Sequence, residues 1–410
     1  MAAMKDPTRE AAFSLLVAVL AHFATLDAAL DRLTGIEARD KAAAHRLAAS
    51  VLRHAGTIDA VLEPFLRREP PVAVRHVLRM GAAAMLFLGA PAHAAVGTAV
   101  DLARSKKLAP FAGLINAVLR KVATGGPELL AELDMPRLDT PPWAWASWGA
   151  DARVIATAHQ MEAPLDISVK AGVALAGEML PTGSVRFPAG TAVMELPGFS
   201  EGAFWVQDAA AALPALILAA RPGERVLDLC AAPGGKTAQL AAAGARVTAV
   251  ERDASRLATL KGNLQRLRLE AELVQADATV WRPERKFDAI LLDAPCSATG
   301  TIRRHPDLLH LRSQRDVLAC TVLQDKLLDA AVEMLAPGGR LVYAVCSLQP
   351  EEGALRVDAA CGRLGLKRVP ISLPALPEAV TAAGDVRTHP GLWAERGGMD
   401  GFFVSVLSKD

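Results

Sequence analysis

From Gly223 onward the chain alternates short aliphatic runs, glycine-bearing turns and amphipathic stretches, and no other feature restricts its folding choices as strongly. The strand-like runs are Arg225 to Leu229, Arg246 to Val250, Glu272 to Val274, Phe287 to Leu292, Arg340 to Val345 and Phe402 to Leu407, with helical stretches between most of them. Such alternation predicts an α/β domain whose parallel sheet is covered by helices on both faces. Ligands of sheets of this kind bind outside the carboxyl ends of the strands, so chemistry is sought at those ends.

Only about half of the chain shows this pattern. With 410 residues, two or three domains are expected. The 52% hydrophobic and 22% charged content is ample for packed cores and excludes a disordered chain. A net charge of +1 does not announce a nucleic-acid binder, so any basic surface must be local. The five cysteines, Cys230, Cys296, Cys320, Cys346 and Cys361, form no CxxC pair and are odd in number. They suit neither a disulfide framework nor a zinc site, and reduced cytosolic thiols are expected, with no metal. The uncharged stretches Ala11 to Leu26 and Ala209 to Ala220 fall short of the ~18 residues that span a bilayer. The first reads as a helix and not as a signal-peptide core, because Asp6 and Glu10 spoil a basic leader; no membrane partner is expected.

From Asp6 to Ala123 apolar residues recur at helical spacing, as in Phe13, Leu16, Val17 and Leu20, and this half reads as all-helical. Asp6 and Pro7 form an N-cap and first-turn pair, and Gly35, Gly56, Gly89 and Gly125-Gly126 are expected to punctuate the segments. Three prolines between Asp134 and Pro142 block helix continuation and mark a boundary. Trp143, Trp145 and Trp148 are expected to pack there, not to stack on bases. Short β-like runs follow (Leu165 to Lys170, Ser184 to Phe187, Ala192 to Leu196, Phe204 to Val206), giving a small α+β insert. The expected division is therefore 1–133, 134–220 and 221–410.

The first strand–helix turn reads Asp228-Leu229-Cys230-Ala231-Ala232-Pro233-Gly234-Gly235-Lys236-Thr237. Its GK[ST] ending suggests a phosphate loop, but the leading glycine would have to stand where Cys230 is, and GxGxxG is also absent. A nucleoside whose phosphates are not its main handle fits better. Glu251 ends the second strand at a spacing suited to ribose hydroxyls, and Asp277, after the third, could accept from an adenine amino group. Strand four ends in Asp293-Ala294-Pro295-Cys296-Ser297 and strand five in Cys346-Ser347. A thiol that ends a strand beside a polar turn can be both exposed and activated, unlike a cysteine inside a helix.

Leu227 to Thr237, Asp293 to Gly300, Arg304-His305-Pro306-Asp307, Cys346-Ser347 and Asp400-Gly401-Phe402-Phe403 closely resemble the S-adenosylmethionine-dependent RNA 5-methylcytosine methyltransferases of the Sun family. Leu78-Arg79-Met80-Gly81-Ala82, Pro91-Ala92-His93-Ala94 and Gly113 to Arg120 look like the NusB-type helical domain of its members that act on small-subunit ribosomal RNA. The resemblance covers nearly the whole chain. It implies a Rossmann-like class I methyltransferase domain, preceded by the α+β insert and an all-α NusB-like RNA-binding domain. By position it implies S-adenosylmethionine against Cys230, Ala231, Ala232, Pro233, Gly234, Gly235 and Lys236, with Glu251 on the ribose, Asp277 on the adenine and Asp293 near the reacting end. It also implies Cys346 as nucleophile and Cys296 as the cysteine that helps release product. Glu251 stands where Asp is usual, and Val345 precedes Cys346 where Thr is usual, removing a hydroxyl beside the nucleophile.

These residue types suit the chemistry. Carbon 5 of cytosine is too weak a nucleophile to take a methyl group unaided, and thiolate attack at carbon 6 raises its electron density. A free cysteine is only a few per cent ionised at neutral pH, so nearby positive charge should assist, and Lys236 is a candidate. The base must leave any stack, so a single-stranded or loop region of ribosomal RNA is the expected partner of a cytoplasmic monomer, with no DNA. Arg303, Arg304, Arg312 and Arg315 either grip phosphates or pair with Asp307 and Asp316. Competing readings are a transfer RNA methyltransferase with the same motifs and an RNA-binding assembly factor with an inert transferase.

Overall fold

The computed structural model describes residues 6–409; residues 1–5 and 410, at the ends of the expected first and last divisions, lie outside them. Two compact units form. One holds the chain up to Gln160 together with Arg304–Arg312, the other Met161–Arg303 and Ser313 onward.

The first unit is helical, from Pro7–His22 to Ala152–Ala158. Its first helix starts as its sequence dictates: the Asp6 carboxylate accepts from Arg9 N at 3.0 Å, and Pro7 needs no donor in the first turn. The buried face of that helix is Ala12, Leu15, Leu16 and Val19, which meets Leu47, Val51, Leu78 and Leu119 in one core. Two glycine signals fall inside helices instead of ending them. Gly56 lies in Ala55–Leu62, because a Cβ there would sit 2.0 Å from the Leu138 carbonyl oxygen, and Gly125-Gly126 lie in Ala112–Glu132. The prolines at 136 and 142 likewise open the short helices Met135–Leu138 and Pro142–Trp148. Trp148 is buried against His159, and Trp145 is flanked by the guanidiniums of Arg137 and Arg153, so these rings pack protein. Within this unit the segment Arg304–Arg312 is fastened by Asp307, which accepts from Leu26 N at 3.0 Å, and by His310 against Leu52 O at 2.8 Å.

The second unit begins with a small antiparallel sheet of β1 (Leu165–Val169), β2 (Glu178–Met179), β3 (Val185–Phe187) and β4 (Phe204–Val206), ordered β2-β3-β1-β4. The expected strand at Ala192 to Leu196 is instead the 3₁₀ turn Val193–Glu195, since nearby Pro188, Gly190, Pro197 and Gly198 leave no room for a ladder. Asp166 on β1 holds Arg186 on β3 through two bonds of 2.6 and 2.7 Å and also accepts from Ala209 N, which pins this sheet to the helix Ala209–Leu218.

The large sheet comprises β5 (Arg225–Leu229), β6 (Arg246–Glu251), β7 (Glu272–Gln275), β8 (Phe287–Asp293), β9 (Leu335–Val345), β10 (Lys367–Val369), β11 (Val386–Arg387) and β12 (Phe403–Ser408). Its order is β10-β12-β9-β8-β5-β6-β7, with β11 beside β12. Side-chain alternation builds a core on each face. Leu227, Leu229, Ile290, Leu292, Leu341 and Tyr343 meet the helices Gln314–Met334 and Ala354–Leu364, while Val226, Ala289, Leu291, Val342 and Ala344 meet Ala209–Leu218. Fully burying each valine, leucine or isoleucine among them contributes about 1.5–3 kcal/mol. The sheet is not wholly parallel as expected: β12 runs antiparallel to β9, and β10 and β11 pair antiparallel with β12. Direction has a consequence here. Phe403 pairs with Val345, so the beginning of β12 lies beside the end of β9 and carries Asp400 to Phe402 to the carboxyl edge. Strand order reverses between β5 and β8, which makes their carboxyl ends the switch-point crevice.

Candidate active site

The loop after β5 is the floor of this crevice. Cys230 has φ 61° and Gly234 φ 101°, which turns the chain sharply into the helix Gly235–Ala242. Burial pushes the Cys230 thiol far up, with the charges of Asp293 and Glu251 adding, so it is a packing sulfur and not a reactive one. Arg256 donates to Ala232 O at 2.7 Å and Asn263 to Pro233 O at 2.9 Å, fixing the loop from the neighbouring helix Ala254–Leu267. Asp228, one residue before the end of β5, is wholly buried, and burial raises it to about 7 even though Thr237 donates to it at 2.6 Å.

Glu251 and Asp277 stand at the ends of the next two strands. Glu251 is buried; its Oε1 accepts from Asp253 N at 3.0 Å, whereas Oε2, 3.4 Å from Arg256 Nη1, has no hydrogen-bond partner. Asp277 accepts from the N–H and hydroxyl of Thr279 on Oδ1, which holds it below the usual carboxylate range. Among the described residues no His, Cys, Asp and Glu cluster could hold a metal ion.

Across the switch point the carboxyl ends of β8 and β9 bring the other expected residues together. Lys236 Nζ donates to Asp293 Oδ2 at 2.7 Å and lies 5.1 Å above the Phe402 ring. Burial disfavours its ammonium, but the Asp293 carboxylate more than compensates, so Lys236 stays above the ordinary lysine value and remains a cation. Cys296 Sγ and Cys346 Sγ are 3.4 Å apart, and both side chains are half-buried. The hydrogen bond to Cys346, followed by burial, holds Cys296 well above the usual thiol range, so it carries its proton.

Backbone contacts lock this end. Ala294 N donates to Ala344 O at 2.9 Å, Gly300 N to Cys346 O at 3.0 Å and Gly401 N to Gly300 O at 2.8 Å. A Cβ at Gly300 would meet Gly401 O at 1.8 Å and one at Gly401 would meet Leu348 Cδ2 at 2.4 Å, which explains the glycine at each position. Arg303 does not face a phosphate: its guanidinium is buried between Asp208 and Asp400, and so it fastens the 400–402 loop instead.

Two groups escaped the sequence reading. Gln207 accepts from Trp205 Nε1 and Ser168 Oγ and donates to Gln239, tying the small sheet to the first helix after β5. Glu352, six residues beyond Cys346, is fully buried under both thiol-bearing turns. Its sequence signal was only a second acidic residue after Pro350.

A family profile described as 16S rRNA methyltransferase RsmB/F matches residues 215–408, and one described as the NusB family matches residues 6–124. Ribosomal RNA small subunit methyltransferase B of Erwinia tasmaniensis is 38% identical, the match covering 82% of this chain and 82% of the relative. The protein of the same name from Pseudomonas putida is 36% identical, with 98% of each chain covered. The crystal structure of PH0851 shares the fold with a TM-score of 0.76 over 99% of both chains, at 24% identity.

Proposed function

Because the chain belongs to the ribosomal RNA small subunit methyltransferase B family, we propose that it works through a transient bond between Cys346 and cytosine. The enzyme transfers a methyl group from S-adenosylmethionine to carbon 5 of a cytosine in 16S ribosomal RNA. The 3.4 Å thiol pair beside the Lys236–Asp293 ion pair carries the reading of the mechanism.

The residues present fit the cofactor. Glu251 Oε2 is a buried acceptor that lacks a hydrogen-bond partner, as a carboxylate meant for ribose hydroxyls would be, and the Cys230 to Lys236 loop brings backbone close to the crevice. Glu251 would hold the ribose and Asp277 Oδ2 the adenine amino group. When bound, S-adenosylmethionine supplies an electrophilic methyl group on a sulfonium sulfur.

Cys346, as thiolate beside the Lys236 ammonium, adds to carbon 6 of the ring. Asp293, with one oxygen held by Lys236, offers the other to the ring nitrogen and amino edge: the proton given up by the Cys346 thiol passes over that oxygen to the ring nitrogen, so the electron pair displaced by the thiolate ends on a protonated ring whose N–H the carboxylate accepts. Carbon 5 is thereby made nucleophilic. After methylation a base removes the carbon 5 proton, the double bond re-forms, and the carbon–sulfur bond breaks with its electron pair returning to Cys346. Cys296, protonated and in contact, assists this release directly or through water.

The division of labour follows from the same reading. Residues 1–133 form an RNA-binding part, 134–220 a second RNA surface, and 221–410 the transferase. The target is a single-stranded or loop cytosine, because the base must reach a half-buried thiol. The protein acts as a cytoplasmic monomer on RNA, not DNA. Methyl transfer from labelled donor into separate ribosomal and transfer RNA pools tests this: label confined to 16S RNA is expected, label confined to transfer RNA overturns the substrate, and no label at all with intact cofactor binding favours an assembly factor.

A further inference from the structure

Ser297 directly follows Cys296 and Ser347 directly follows Cys346, and one carboxylate reaches both. Glu352 Oε1 accepts from Ser297 N at 2.8 Å and from Gln324 Nε2 at 3.3 Å. Its Oε2 accepts from the hydroxyls of Ser297 and Ser347. Tyr343 OH donates to the Glu352 carbonyl at 2.7 Å, which fixes the acid from beneath. Thr299 extends the lock: its hydroxyl is 3.3 Å from Ser347 Oγ and accepts from Leu348 N at 3.1 Å. A fully buried carboxylate is tolerated only when charge-assisted hydrogen bonds saturate it, and here those bonds come from both turns at once.

We propose that Glu352 is a positioning residue that clamps the Cys296 and Cys346 turns together and thereby sets the thiol spacing needed for product release. The spacing itself follows from these contacts; its consequence for release rests on the reaction proposed above. Glu352 also adds a negative charge near Cys296, after the larger effects of the Cys346 bond and burial, in the direction that keeps that sulfur protonated.

Reach and charge can be separated. Glu352→Asp keeps the charge but withdraws the carboxylate by about 1.5 Å, too far to serve both turns. Glu352→Gln keeps the reach, and the two serine hydroxyls can rotate to accept from its amide. Dibromobimane, which becomes fluorescent when both arms alkylate thiols a few ångströms apart, reads the spacing without RNA or cofactor; Cys296→Ala supplies the zero. Bridging and methyl transfer in Glu352→Asp are expected to fall on the order of tenfold to a hundredfold, with a denaturation-resistant protein–RNA adduct accumulating, while Glu352→Gln stays within about threefold. Cofactor affinity and Tm are followed in each variant. Glu352→Asp indistinguishable from wild type, or Glu352→Gln as impaired as Glu352→Asp, overturns the proposal. Should Glu352→Asp not fold, Ser297→Ala cuts one hydroxyl leg of the clamp, and unchanged bridging in that variant overturns it equally. Reduced bridging with no methyl transfer from the wild type would leave the clamp standing and remove the reaction.

Discussion

The two sides of the switch point treat their polar groups in opposite ways. At the ends of β5 and β6, Asp228 Oδ1 and Glu251 Oε2 are buried without hydrogen-bond partners. At the ends of β8 and β9, Ser297, Thr299, Ser347 and Glu352 satisfy one another, and Lys236 and Asp293 are already paired. A surface meant to receive a ligand must keep acceptors in reserve, because a saturated group would have to break bonds to bind. A surface meant to do chemistry gains by fixing its groups before substrate arrives. In the proposed function the first side thus serves recognition and the second preorganisation.

Substitutions should separate the two. Cys346→Ala, on the chemical side, is expected to lower methyl transfer by about 1,000-fold or more, while calorimetry finds cofactor affinity unchanged, because in the proposed reaction the thiol acts on the base alone. Affinity lost along with activity would show that the sides are not independent. Glu251→Ala, on the receiving side, should do the reverse: affinity weakens by roughly 1.5 to 3 kcal/mol through lost charge-assisted bonds, and turnover at saturating cofactor is retained. An unaltered binding isotherm would remove Glu251 from the ribose.

A smaller effect tests rigidity on the chemical side. Gly300→Ala drives a methyl group into the Gly401 carbonyl, so the 400–402 loop must shift at a cost of about 1–3 kcal/mol in thermal unfolding. Turnover should fall with cofactor affinity preserved; a Tm equal to wild type would mean that the close crossing is absent in solution. The last effect, spread over a pH range, concerns Asp228. Its folded value of about 7 lies above that of an unfolded carboxyl, so the native state binds the extra proton, and the stability it provides at low pH is lost as pH rises from about 4 through 7. One proton sets the slope of that loss at no more than about 1.4 kcal/mol for each step of one in pH. Asp228→Asn should therefore flatten the fall in Tm between pH 5 and pH 8, and an unchanged profile would place the wild-type carboxylate in a solvated setting.

Much of this arrangement was legible in the chain because it is local. Strands buried on both faces announce themselves as aliphatic runs, and the residues that end them are read off directly, which is how Asp293, Cys296 and Cys346 came to one edge. What required the fold is non-local. Strand direction is not written in β12, yet its antiparallel course is what carries Asp400 to Phe402 beside Cys346. Gly56 reads as a break until the Leu138 carbonyl is seen to occupy the place of its side chain. Arg303 reads equally as a phosphate ligand or as a partner of Asp307 and Asp316, until Asp208 and Asp400 are seen to enclose it. Glu352 goes unread in the sequence because one of its two serines lies 55 positions away.

The most direct measurement is a denaturing gel of Cys296→Ala incubated with S-adenosylmethionine and 16S RNA. A slow-migrating protein–RNA species, absent when Cys346 is also replaced by Ala, is the predicted result; no such species, beside a wild type that methylates the same RNA, would contradict a bond between Cys346 and the base.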